Sequence, residues 1–212
     1  MPEPTRDRSR ARWFGPIVAV VVAIAVFWWV ARSPEPSSVA SGPTGSTPGT
    51  AAEVVEVQAS SAVRFAGLDD LVRASDLVVQ GTVVQTSRGR LVGSGDDAIV
   101  SRIVTLRIDE VLRGEGRAPG DRVLVEEEGW LTDGRLLSVN GAAPSATGDT
   151  GIWFLQAVHD PELTGFTSTN GQGRYLVRPD APDALTGSDQ QDPLVQELQR
   201  LTPDELRDAA RP

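Results

Sequence analysis

Residues 99–112 read IVSRIVTLRIDEVL, and apolar and polar positions alternate along them. Ile103, Thr105, Arg107 and Asp109 take one face of an extended chain; Val104, Leu106 and Ile108 take the other, with Val111 joining them past a kink near Asp109. A period of two predicts a half-buried strand. Residues 77–84 (LVVQGTVV) and 152–155 (IWFL) are short, nearly continuous apolar runs, the pattern of strands covered on both faces. Residues 122–126 (RVLVE) predict a further strand, reached through a glycine-bounded turn at 114–120. Asp133-Gly134 and Asn170-Gly171 each lie between strand-like runs and suit type I′ turns, which need positive φ, so each predicts a hairpin. Leu68, Leu71 and Val72 are spaced for one short helix ending near Ser75. Near the C-terminus, Asp192 caps a helix opened by Pro193, with Leu194, Val195, Leu198 and Leu201 on one stripe. Thr202-Pro203-Asp204-Glu205 is a capping box for a last short helix. The sum is a mainly β fold of about six strands with short flanking helices, best fitted by a small barrel, with a sandwich as runner-up.

A different pattern precedes this body. Residues 13–31 read WFGPIVAVVVAIAVFWWVA without a charge. At ~1.5 Å per residue such a helix is about 28 Å long, close to the hydrocarbon thickness of a bilayer. Pro16 falls in the first turn, where its missing N–H costs nothing, and tryptophans mark both ends of the run. Arg6, Arg8, Arg10 and Arg12 lie just before it, so the positive-inside rule keeps the N-terminus in the cytoplasm and puts the body outside. A cleaved signal peptide is the alternative, but the best cut, after Ser33, would be followed by Pro34. Residues 33–50 are almost all Ser, Pro, Gly and Thr, a composition that cannot bury enough apolar surface to order itself. The expected organisation is a basic stub at 1–12, a transmembrane helix at 13–31, a linker at 32–62 and an extracytoplasmic β domain at 63–212. Within the linker, AEVVEVQ alternates weakly, as a stray strand would.

Composition narrows the chemistry. There is no cysteine, which excludes disulfides, thiolate metal sites, a cysteine nucleophile and an N-terminal lipid-modified cysteine. Every basic residue is arginine, and the net charge is −9, carried by the body. An acidic body repels nucleic acid and anionic lipid. No cofactor motif is present: Gly93-Ser94-Gly95-Asp96-Asp97 lacks the lysine and following helix of a phosphate loop.

Four places could carry chemistry. Asp149-Thr150-Gly151 is the triplet of aspartic proteases, and an envelope hydrolase using Asp149 is the alternative function. Such enzymes need two aspartates sharing a proton, fed by an apolar strand. Here there is one triplet, a loop precedes it and the apolar residues follow it, so a turn leading into a strand is the reading. His159 is the only histidine; with Asp160 and Glu162 it could seed a metal site, but before Pro161 it reads as a surface turn. Glu126-Glu127-Glu128 supplies oxygen ligands, yet neighbours on a strand alternate sides, so the three read as a solvated strand end and no metal is expected. Trp130 follows these acids and precedes a polar hairpin, which makes it the candidate partner-contact residue.

The body resembles a group of actinobacterial membrane-anchored envelope proteins. They share a short helix, a strand here read as Ser75-Asp76-Leu77-Val78-Val79-Gln80-Gly81-Thr82-Val83, a long strand ending Val111-Leu112-Arg113-Gly114, and a late strand at 148–155. The pattern covers most of 66–178 and is similar in order to netrin-like and metalloprotease-inhibitor-like domains, which resemble OB-folds. The resemblance implies an OB-like β-barrel. It implies no catalytic residue, and the absent cysteines leave metalloprotease inhibition without its N-terminal group. The expected function is a single-pass, membrane-anchored, extracytoplasmic binding domain, non-enzymatic, with an envelope protein as its possible partner and no nucleic acid.

Overall fold

The computed structural model describes residues 53–59, 63–95, 98–160 and 163–211. In chain order the elements are β1 (Val54–Val57), α1 (Leu68–Ala74), β2 (Leu77–Val92), β3 (Ile99–Arg113), β4 (Arg122–Leu131) and β5 (Leu136–Val139). There follow β6 (Thr150–Asp160), β7 (Leu163–Ser168), β8 (Arg174–Arg178), β9 (Ala181–Gly187), α2 (Pro193–Leu198) and α3 (Pro203–Ala209). The protein is mainly β, with a large sheet and short helices.

All nine described strands join one sheet, in the order β1-β5-β4-β3-β2-β6-β8-β9, while β7 pairs with both β4 and β6. β2 is antiparallel to β3 and to β6, β3 to β4, and β6 to β7; β7 runs parallel to β4. The pairings β2–β3–β4–β7–β6 therefore return to β2. Between β2 and β6 two glycines, Gly81 and Gly151, face each other. A Cβ on Gly151 would lie 2.2 Å from the Tyr175 carbonyl oxygen and one on Gly81 2.7 Å from that of Arg107, so neither position admits a side chain.

Two apolar cores explain the hydrophobic pattern. On one face of the sheet Val79, Val83, Val104, Leu106, Ile108, Val125, Trp153 and Leu155 pack together. On the other, Val78, Ile152, Phe154 and Tyr175 pack against Leu71, Leu194, Val195, Leu198 and Leu206 of the helices. β2 and β6 contribute to both cores, which is why their sequences read as continuous apolar runs. β3 contributes to the first through Val104, Leu106 and Ile108 while Arg107 and Asp109 are exposed, as its alternation predicted.

The helix signals are local and are realised locally. Asp192 Oδ1 accepts the amides of Leu194 (2.9 Å) and Val195 (3.2 Å) ahead of Pro193. Thr202 and Glu205 form a reciprocal capping box.

Several expectations need correction. There are nine described strands rather than about six, β9 among them without a signal in the apolar pattern, and β2 and β4 run far beyond their apolar runs into polar sequence. The weakly alternating segment within the expected linker does form a strand: β1 pairs in parallel with β5, Val54 against Leu136 and Val57 against Val139, and Asn140 clamps Ala59 through both its carboxamide atoms. Asp133-Gly134 does join two paired strands, but only Gly134 has positive φ (92°), so the turn is not type I′. Asn170-Gly171 is not a hairpin. β7 and β8 both lie antiparallel to β6, Leu155 opposite Ser168 and Trp153 opposite Arg174, and residues Asn170–Gln172 form a single 3-10 turn bulging between them. The transmembrane segment at 13–31 and most of the linker lie outside the described residues; among the described residues no helix is long and apolar enough to cross a membrane.

Candidate functional site

The face of the sheet that carries Trp153 and Leu106 does not stay apolar to its end. Along β3, Arg102 is in phase with Val104, Leu106 and Ile108, and like them it is buried, 8% exposed. Its cross-strand partners are Arg88 on β2 and Glu127 on β4. Arg174, paired with Trp153 across β6 and β8, points to the same face and is 7% exposed. A charged layer thus sits directly on the apolar core.

That layer is heavily bonded. Arg174 Nη1 lies 3.1 Å from Glu127 Oε2, and both side chains are nearly buried. Ser145, fully buried, donates its hydroxyl to Glu127 Oε1 (2.8 Å) and accepts from Arg174 Nη1 (2.7 Å). Arg174 Nη2 also donates to the Ala143 carbonyl (2.6 Å), and Arg102 Nη1 to the Ser145 carbonyl (2.8 Å). These bonds pin the loop between β5 and β6 across the layer. Of the two buried guanidiniums, Arg174 is paired with the Glu127 carboxylate and Arg102 is bonded to the loop carbonyl. Burial pushes the Arg102 pKa below its ordinary value; Glu127 opposes that shift and Arg174 adds to it.

Trp130 tops this layer. From Arg102–Glu127 to Val100–Trp130 the register advances two residues on β3 and three on β4, so β4 carries one extra residue, a bulge. Gly129 makes the bulge possible, since a Cβ there would lie 2.5 Å from the Val100 carbonyl oxygen. The bulge restores Trp130 to the face of Glu127 and Arg102. Both guanidiniums lie over the half-buried indole, with the Arg102 and Arg88 carbons 4.5 Å and 5.0 Å from its ring centroid. Two cations directly opposite on neighbouring strands repel, and a ring face shared between them offsets that repulsion. Among the described residues, no carboxylate lies within ion-pair distance of Arg88 or Arg102, and the buried Arg102 Nε has no hydrogen-bond partner.

The other sequence candidates come to rest elsewhere. The Asp149 carboxylate accepts the Ala146 amide (2.7 Å), and the Asp149 and Gly148 backbone pairs with Val83. Asp149 shapes the turn that feeds β6, and its carboxylate is engaged within that turn. His159 is exposed on β6 opposite Thr164. The three glutamates divide between the faces, as alternation requires, but they are not a solvated strand end. Glu126 takes Arg90 in a two-pronged pair (3.0 and 3.1 Å), Glu127 is buried with Arg174, and Glu128 is exposed. Arg90 also reaches Asp160 (2.5 Å), and these acceptors hold its pKa above the ordinary value. Among the described residues no group of three His, Asp or Glu side chains is arranged to hold a metal ion.

Sequence reasoning singled out Trp130 as a candidate but did not anticipate Arg88, Arg102, Glu127, Ser145 and Arg174 around it. One signal was available: Arg102 shares the phase of the buried positions of β3, and a charge at an inward position is a buried charge. Its partners come from strands and a loop distant in sequence. Comparison of the sequence with protein-family models and with curated proteins finds no match.

Proposed function

We propose that the chain is a single-pass, membrane-anchored, extracytoplasmic binding module that engages a protein partner of the cell envelope through the Trp130 face. The domain that presents this face is read as a small OB-like barrel of β2, β3, β4, β7 and β6, supported by the circuit of pairings and by the parallel step between β4 and β7. The uncharged run at 13–31, preceded by arginines, supports the anchor and the outside placement of the domain. The acidic balance argues against a nucleic-acid ligand.

One observation carries the binding reading. Trp130 is a large, partly exposed aromatic with two arginines stacked against its ring, and tryptophan with arginine is the composition of interface hot spots. The test is affinity capture from solubilised envelope with the intact chain and with Trp130→Ala, each followed by thermal unfolding. The reading expects a saturable partner lost in the variant while the melting temperature moves by only a few degrees. Equal capture by both proteins, or collapse of the variant's fold, overturns it.

A further inference from the structure

We infer that the Trp130 face takes an extended, acidic and apolar peptide segment of its partner, an inference that rests on the binding-module reading above. The register aligns one residue from each of five strands on this face. Leu91 pairs with Val100, Val100 with Trp130, Trp130 with Leu136, and Leu136 with Val54. Cross-strand partners project to the same side of a sheet, so these residues form one apolar row running across β2, β3, β4, β5 and β1. Its two ends are the two most exposed large hydrophobics that belong to strands, Leu91 at 60% and Val54 at 54%. At ~4.8 Å per strand step the row is roughly 19 Å long, which about six extended residues would cover at ~3.3 Å each.

Charge selects the occupant. One register step below the row lie Arg88 and Arg102, the pair that stacks on Trp130 and has no carboxylate at ion-pair distance among the described residues. The other arginines at this end are already engaged. Arg90 pairs with Glu126 and Asp160, and Arg135 with Asp133 (2.8 Å) and Glu53 (3.6 Å). At this end the guanidiniums left without a carboxylate at ion-pair distance among the described residues are the two beside the row, in a chain whose net charge is −9. A carboxylate from outside would bond to Arg88 in the fork geometry that guanidinium favours and would neutralise the repulsion between Arg88 and Arg102. The apolar neighbours of that carboxylate would cover Leu91 and Val100 on one side and Leu136 and Val54 on the other.

The experiment presents a library of displayed random peptides, each about twelve residues long so that more than one registration on the row is possible, to the full chain in detergent micelles. The same selection is run on Trp130→Ala, Arg88→Gln and, as a control, Arg122→Gln, which changes an exposed arginine at the far end of β4. Peptides enriched on the wild type are expected to combine Asp or Glu with adjacent Leu, Ile, Val or aromatic residues. Their affinity should fall about tenfold in Arg88→Gln and with added salt, be lost in Trp130→Ala, and be unchanged in Arg122→Gln. An enriched set without acids, or one that binds Arg88→Gln as well as wild type, overturns the acidic specificity while its dependence on Trp130 leaves the binding module standing. No enrichment over Trp130→Ala overturns the peptide inference, and the envelope capture then decides separately whether the module reading falls with it. Arg88-dependent binding to phosphatidylglycerol vesicles with no peptide enriched would assign the arginines to lipid and also overturn the inference.

Discussion

Trp153 and Trp130 occupy the same face of the same sheet and have opposite surroundings. Trp153 is fully buried, packed among aliphatic side chains, and its indole N–H has no hydrogen-bond partner. Trp130 is half-buried, and two guanidiniums lie over its ring. What separates them is the layer of Arg102, Glu127, Arg174 and Ser145. At Trp153 the sheet accepts an orphaned polar atom in order to fill volume, a cost of about 1–3 kcal/mol recovered by burial of a large ring. At Trp130 the sheet spends charged groups on orienting a ring that stays partly in water. The first arrangement suits stability, and the second suits contact.

Truncating Trp153 is the strongest way to break the contrast. Trp153→Ala should cost about 3–5 kcal/mol in denaturant unfolding, as a large core deletion does; a cost near that of Trp130→Ala would make the two tryptophans equivalent. Glu127→Ala comes next. It leaves Arg174 buried without its carboxylate, and removing one partner of a buried pair costs about 3–5 kcal/mol, toward the low end here because Ser145 and the Ala143 carbonyl still accept. A loss below about 1 kcal/mol would mean that the layer is wet and is no floor for Trp130.

Trp130→Ala should cost about 1 kcal/mol of stability, the worth of an exposed cation–π contact, while abolishing capture. The smallest effect sharpens the account of orphaned polar atoms. Tyr175, in the core beneath the helices, has an unpartnered hydroxyl, and burial, helped by Asp192, pushes its pKa above the ordinary 10.0. Below pH 10 the phenol is neutral in both folded and unfolded chains and contributes no pH dependence. Above it the unfolded chain ionises first and stability falls as pH rises. Tyr175→Phe should therefore be neutral or stabilising by up to about 1 kcal/mol at neutral pH and should flatten the alkaline loss. A destabilised variant would show that the hydroxyl has a partner after all.

What was legible in the sequence was local. Asp192 with Pro193, and Thr202 with Glu205, specify helix starts within four residues, and both caps form as their spacing demands. The alternation of β3 and the unbroken run of β6 need only to know which faces are covered. The misses all depend on partners far along the chain. The strand at β1 was hinted at by its weak alternation, but not its partners: it is held by parallel pairing to β5 and by Asn140, whose bonds to Ala59 span 81 positions. The polar ends of β2 and β4 are strands because they pair with each other's neighbours, not because of their own composition. Trp130 stood out as a candidate because an aromatic between acids and a turn is conspicuous; its setting did not, because Arg88, Arg102, Glu127 and Arg174 come from four separate strands. Only the phase of Arg102 within β3 gave that setting away.

The most direct test of the Trp130 face is oxidative footprinting of each tryptophan in the intact chain, read by mass spectrometry with and without solubilised envelope extract. The account predicts that Trp130 is oxidised in the isolated chain and protected when extract is added, while Trp153 resists oxidation throughout. Trp130 as inert as Trp153, or equally reactive in both conditions, would contradict it.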